Sequence, residues 1–135
     1  MILIYHPEGD QEPQRFSYDP NKLMSPEMEA IERATGVAFS EFTQAVLTGH
    51  AKCRRALLWV LLKRQHPTLR FEDVSFRWEE LKLEFSKQEY QSMYDTIEKR
   101  DMPDNEKQDA LDSIRLEMED AHDDPEGKAR PPIAV

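Results

Sequence analysis

Cysteine is all but absent from this chain, and glycine nearly so. A single thiol, Cys53, rules out an internal disulfide framework and fits a reducing compartment. Four glycines in 135 residues leave few of the tight turns from which phosphate cradles are built. Long apolar runs are missing as well. The longest, Ala56–Leu62, has seven residues, far short of the ~20 that span a bilayer. The opening MILIYHPEGD is apolar at first, but it has no basic n-region and no signal-peptide core, so no signal sequence is expected.

The signatures of catalysis are missing too. There is no GxGxxG, P-loop, CxxC, HExxH or nucleophile elbow. His50 and Cys53 stand as H-x-x-C, half of a zinc site, but neither His66 nor His122 supplies a second half at ligand spacing. Cys53 reads instead as a small buried hydrophobe. The pairs Glu27/Glu29, Glu79/Glu80 and Glu119/Asp120 fall on expected exposed faces, with no basic neighbour to tune them for acid–base work. Trp59 and Trp78 read as core packing rather than the walls of a ligand pocket. The expectation is a non-catalytic protein with no cofactor and no metal.

What the chain does have is charge, unevenly placed. The net charge is −9. Residues 1–49 hold 3 basic and 8 acidic side chains, a balance of −5; residues 50–70 hold 6 basic and none acidic; residues 71–135 hold 9 basic and 19 acidic, a balance of −10. A basic segment is therefore bracketed by acidic ones. Either the flanks neutralise it within the chain, or its face is kept open for an acidic partner. The acidic total argues against nucleic acid as the main partner, because phosphate neutralisation supplies most of that affinity. The longest apolar run argues against a membrane.

Hydrophobic periodicity predicts a mainly α fold: a small helical domain with an N-terminal β-hairpin, an acidic C-terminal helix and a disordered tail. ILIYH (2–6) and QRFSYD (14–19) are the hairpin strands, joined by the turn-rich PEGDQEP. SPEMEAIERATG (25–36) is a helix, with Ser25 as cap, Pro26 in the first turn and Gly36 as stop. SEFTQAVLTG (40–49) repeats that plan in about two turns. The segment 51–65 is apolar almost all round, so it is the central helix, ended by Pro67. Residues 68–85 are irregular and aromatic, and are expected to drape over it. Ser86 and Glu89 open a further helix at capping-box spacing. The expected organisation is 1–102 as hairpin plus helical core, 103–124 as an acidic, marginal helix, and 125–135 as the tail.

Two groups of residues are candidates for partner binding. Phe39, Phe42, Val46, Leu58, Trp59 and Leu62 supply more apolar area than one small core is expected to absorb, and so form a candidate groove. Arg54, Arg55, Lys63 and Arg64 flank the central apolar run, where they can meet acidic stretches of a client or the acidic flank of a second copy.

The order of these segments carries a resemblance. YDPNKLMSPEMEAIERATG, then FSEFTQAVLTGHAKCRRALLWVLLKRQHPTLRFEDVSF, then an acidic end, resembles the small tail assembly chaperones of long-tailed (siphovirus-type) bacteriophages, especially those of actinobacterial hosts. There a stretch like L…EAxxIExxTG precedes ALLWVxLxRxxPxLxFxDV, and the likeness covers residues 15–80. The resemblance implies a protein that coats the tape-measure protein, keeps it soluble and helps recruit tail-tube subunits. It implies self-association, work in the host cytoplasm and absence from the mature virion. It also implies a frameshifted longer form, for which Gly127-Lys128 matches the dipeptide of a common slippery heptamer. Other readings stay open: a structural head–tail connector or tail completion protein, and a small acidic regulatory partner of a basic protein.

Overall fold

The computed structural model describes residues 1–9 and 12–125. The expected tail, apart from Pro125, and the Gly127-Lys128 dipeptide lie outside the described residues. The fold is mainly α: five α-helices with one small antiparallel sheet among the described residues. Strands β1 (Ile2–Tyr5) and β2 (Gln14–Ser17) form the expected hairpin. Helices α1 (Ser25–Thr35), α2 (Phe39–Leu47) and α3 (Ala51–Lys63) follow, then β3 (Leu81–Glu84), α4 (Lys87–Lys99) and α5 (Asp104–Asp120). Two compact units divide the chain near Leu83, whereas the sequence reading set its boundary at 102/103.

The third strand is the main departure from the sequence reading, which left 68–85 irregular. The sheet runs β2-β1-β3, so β1 is central. Leu81 and Leu83 alternate with Lys82 and Glu84, and Leu81 is buried. This pairing solves a problem in the sequence: a lone two-stranded hairpin is marginal in water. The ladder continues past β1, where the His6 N–H donates to the Glu80 carbonyl at 2.8 Å.

The unit formed by Leu3–Gln14 and Tyr18–Lys82 is built round α3. Seven of that helix's thirteen residues are buried, namely Cys53 and Ala56 through Leu61. α1 and α2 pack on it and on each other, and enclose Ile31, Phe42 and Val46. Tyr18 joins this core edge-on to Phe42 and bonds its hydroxyl to Thr43 Oγ1 at 2.8 Å; burial pushes the phenol pKa up.

Side chains close the helix ends. The Met24 N–H donates to Glu27 Oε1 at 3.0 Å, so Glu27 holds the start of α1 and Ser25 is already its first residue. Gly36 stops α1 at φ +73°, a left-handed conformation that favours glycine. Glu32 then reaches across the corner and accepts the Phe39 N–H at 2.9 Å, so α2 starts one residue before the expected cap, Ser40. His50 Nδ1 accepts the Cys53 N–H at 3.2 Å and caps α3.

The other unit comprises Met1–Ile2, Arg15–Ser17 and the chain from Leu83. Here α4 and α5 pack together. Arg115 Nη2 donates to the Tyr94 hydroxyl at 2.8 Å, and Lys107 Nζ to the Glu98 carbonyl at 3.2 Å. As 94 meets 115 and 98 meets 107, the two helices run antiparallel, with Leu111 buried. Ser86 and Glu89 form the expected capping box: the Glu89 N–H donates to Ser86 Oγ at 3.1 Å, and the Ser86 N–H to Glu89 Oε1 at 3.0 Å. The Met1 amino group is ion-paired with Glu89.

Candidate functional site

The residues to place first are the cations of α3. Arg55 is a clamp rather than a free charge. Its Nε donates to the Val74 carbonyl at 2.6 Å and its Nη2 to the Phe71 carbonyl at 3.0 Å, while the guanidinium lies 4.2 Å above the Phe71 ring. Arg54 Nε donates to the Val46 carbonyl at 2.9 Å, and its guanidinium lies 4.6 Å from the centre of the Trp78 ring. Lys63 Nζ sits 4.9 Å above Trp59, and Arg64 pairs with Glu27 at 3.2 Å. The basic segment is thus largely engaged within its own unit. Of these four cations only Arg64 meets a carboxylate; carbonyls and aromatic faces take Arg54, Arg55 and Lys63.

The six apolar candidates do not form one open groove. Phe42, Val46 and Leu58 are fully enclosed, and Trp59 nearly so. The indole N–H of Trp59 donates to the Leu69 carbonyl at 2.9 Å, which fixes the segment after α3 against it. Phe39 and Leu62 are half-buried, with Phe39 stacked on Phe42 at 5.7 Å. The core absorbed more aromatic area than the sequence reading allowed, because α1, α2 and the 66–76 segment close on α3 from several sides.

What stays open lies beside that core. A cleft of about 530 Å³ runs between the start of α3 and the 72–78 segment, walled by Lys52, Arg55, Glu72, Val74, Phe76 and Trp78. Trp78 is 53% exposed. Phe76 stacks on it at 6.4 Å, and Gly49, at φ +92°, brings the backbone so near that a Cβ there would stand 3.7 Å from the indole. Arg77 turns the other way, to Glu8 at 2.7 Å. The cleft therefore offers an aromatic platform with an ammonium at its rim and a guanidinium in its wall. The sequence reading assigned Trp78 to the core. The available signal was FRW: two aromatics separated by one residue, in extended backbone that ends where Trp78 opens a short 3-10 turn, which puts both on one side.

A second groove lies between α1 and α3. One part, about 430 Å³, meets Ala30, Arg33, Ala34, Trp59 and Lys63; the next, about 240 Å³, shares Ala30 and Lys63 and reaches Pro26 and Val60. A third hollow, about 290 Å³ and acidic, lies in the other unit between Glu84, Tyr90, Glu117 and Asp120. Burial, and then the Glu117, Glu84 and Glu89 carboxylates, push the Tyr90 phenol pKa up.

The spacing read as half a zinc site serves the cap of α3: His50 Nδ1 is committed to the Cys53 amide, and the Cys53 thiol is enclosed, its pKa raised by burial against the opposing effect of Lys52. Among the described residues no group of three His, Cys, Asp or Glu side chains is placed to hold a metal, and no helix is long and apolar enough to cross a membrane. No known protein family, no curated protein and no solved structure matches this chain.

Proposed function

We propose that this protein is a non-catalytic assembly chaperone that grips an amphipathic helical client at the Trp78 cleft. The carrying observation is the cleft itself. An indole left half in water, stacked on Phe76 and walled by Lys52 and Arg55, is an anchor of the kind that dominates protein–protein contacts. Its chemistry favours a segment with one aromatic or aliphatic anchor beside a carboxylate.

The resemblance to phage tail assembly chaperones names the client as the tape-measure protein. That rod is long, helical and amphipathic, and would aggregate if left bare. On this reading the protein coats it in the host cytoplasm, helps recruit tail-tube subunits and leaves before the virion matures. The cleft replaces the groove read from the sequence: of those residues, Arg55 lines it and Arg54 backs Trp78.

The test is co-expression with a tape-measure protein, which on this reading is encoded by a long reading frame near this gene. The client should be soluble with the wild-type chaperone and insoluble with Trp78→Ala, which circular dichroism should show to be folded. Equal client solubility with both proteins refutes the cleft; equal solubility without any chaperone refutes the function. Mass spectrometry of purified virions separates the chaperone from a head–tail connector, which would remain in the particle.

A further inference from the structure

α5 presents two faces. Lys107, Ala110, Leu111, Ile114 and Met118 are at least partly covered in its unit. Asp109, Asp112, Leu116 and Glu119 are all exposed and recur at intervals of three, four and three, which puts them in one row along the helix. Leu116 is 66% exposed in the middle of that row. A large aliphatic side chain bracketed by carboxylates on a solvent face is an apolar knob in an acidic setting. Asp112 is partly engaged, accepting from Gln108 at 2.9 Å with Arg115 at 3.9 Å, so Asp109 and Glu119 are the freer charges.

The α1–α3 groove has the opposite character. Ala30 and Ala34, one turn apart on α1, leave a shallow floor with Val60, and small residues let a second helix approach to about 8 Å between axes. Arg33 and Lys63 stand at the rim and make no ion pair with any described residue. The other rim cations are committed, Arg64 to Glu27 and Arg70 to Asp73. The groove thus combines an apolar floor with two cations that reach no carboxylate, Lys63 lying over Trp59, although Glu72 also lines it; the row on α5 combines an apolar knob with carboxylates of which Asp109 and Glu119 are the freer.

We propose that the outer face of α5 of one copy seats in the α1–α3 groove of a second copy, with Leu116 over Ala30 and its carboxylates facing Arg33 and Lys63. Two different surfaces meet, so the contact is heterologous, and a pair joined by it keeps one free helix face and one free groove. These free surfaces can take up further copies. This inference goes beyond the client reading and does not depend on it, since the client cleft is centred on Trp78 and shares only Glu72 with the groove.

The experiment uses the full chain in sedimentation velocity at low and high salt. Wild type should form concentration-dependent oligomers that weaken at 1 M salt, where charges are screened within about 3 Å. Leu116→Asp and the double variant Arg33→Glu/Lys63→Glu should each lose association by more than about tenfold in Kd. Circular dichroism should show both folded. Mixing the two should yield a one-to-one heterodimer and nothing longer, because one intact groove and one intact helix remain between them. Three outcomes overturn the proposal: a wild type that stays monomeric at about 100 μM in low salt, oligomers that survive both variants, or a mixture that yields no heterodimer. If each chain's own α5 filled its groove, the result would be the first of these, and the proposal would fail.

Discussion

Arg55 offers the sharpest test of how the basic segment is used. If it is a clamp, Arg55→Met removes two hydrogen bonds from a charged donor while keeping the stem's bulk. Bonds to charged groups contribute about 1.5–3 kcal/mol each. Arg55 is half-buried, so the lower end applies, and the Val74 and Phe71 carbonyls regain only part of their solvation. Loss of the Phe71 ring contact adds about 0.5–1 kcal/mol. The expected cost is about 3–4 kcal/mol in all. Arg55→Lys should fall near half of that, since an ammonium cannot bridge both carbonyls in the fork geometry. Urea unfolding followed by tryptophan emission suits the question, because Trp59 and Trp78 both lie in this unit and Trp59 packs on Phe71 at 5.6 Å. With a slope of about 1–3 kcal/mol per molar urea, the midpoint for Arg55→Met should drop by about 1–4 M. Lys22→Met, at an exposed position, is the control and should move stability by less than about 0.5 kcal/mol. An Arg55→Met protein within that same margin would refute the clamp and restore the residue as an open cation.

Leu57→Ala empties a fully enclosed position in α3 and should cost about 2–5 kcal/mol in the same urea assay. Gly36→Ala meets no neighbouring atom, so its cost is the left-handed backbone alone, about 1–2 kcal/mol, read from the unfolding midpoint. Glu80 accepts the Arg77 and Glu8 N–H groups, each at 2.6 Å, and these bonds hold its carboxyl pKa below the ordinary value. Its contribution is therefore present above about pH 4.3 and disappears as pH falls through the lower folded value. The gap in midpoint between wild type and Glu80→Gln should narrow on acidification through that range. Tyr18 has the opposite sense. Its raised pKa means stability is kept below about pH 10 and lost as pH rises through the folded value, and Tyr18→Phe should flatten that alkaline loss.

The parts of this fold that could be read from the sequence are those whose cause is local. Ala56 to Leu62 can only be a buried helix, and Gly36 and the Ser86–Glu89 pair mark boundaries through rules that span four residues. β3 needed more. Its alternation, Leu81 and Leu83 against Lys82 and Glu84, is only four residues long, sits behind a run of aromatics, and acquires meaning from a partner some 75 residues earlier. The candidate site was obscured for a similar reason. Side-chain type shows that Trp59 and Trp78 are both large and apolar; which one the core encloses depends on how the 66–80 segment returns past α3. The cations misled in the same way. Arg54 and Arg55 were read as surface charge, yet their nearest acceptors are carbonyls supplied by Val46, Phe71 and Val74, and no sequence pattern announces a carbonyl as a partner. α5 could be read as an acidic helix, but its alignment with α4 through Tyr94 and Arg115 could not.

The central place of β1 sets an order on synthesis. Ile2, Leu3 and Ile4 are made well before Leu81–Glu84, one of the two neighbours of their strand. Glu8 and Glu80, which are hydrogen-bonded just beyond that pairing, lie 72 positions apart. At about 5–20 residues per second, the nascent strand waits about 4–14 s with one flank unpaired. A growing polypeptide in that interval exposes a short, branched, aggregation-prone edge, which gives slow elongation through residues 9–80 a direct route to misfolding.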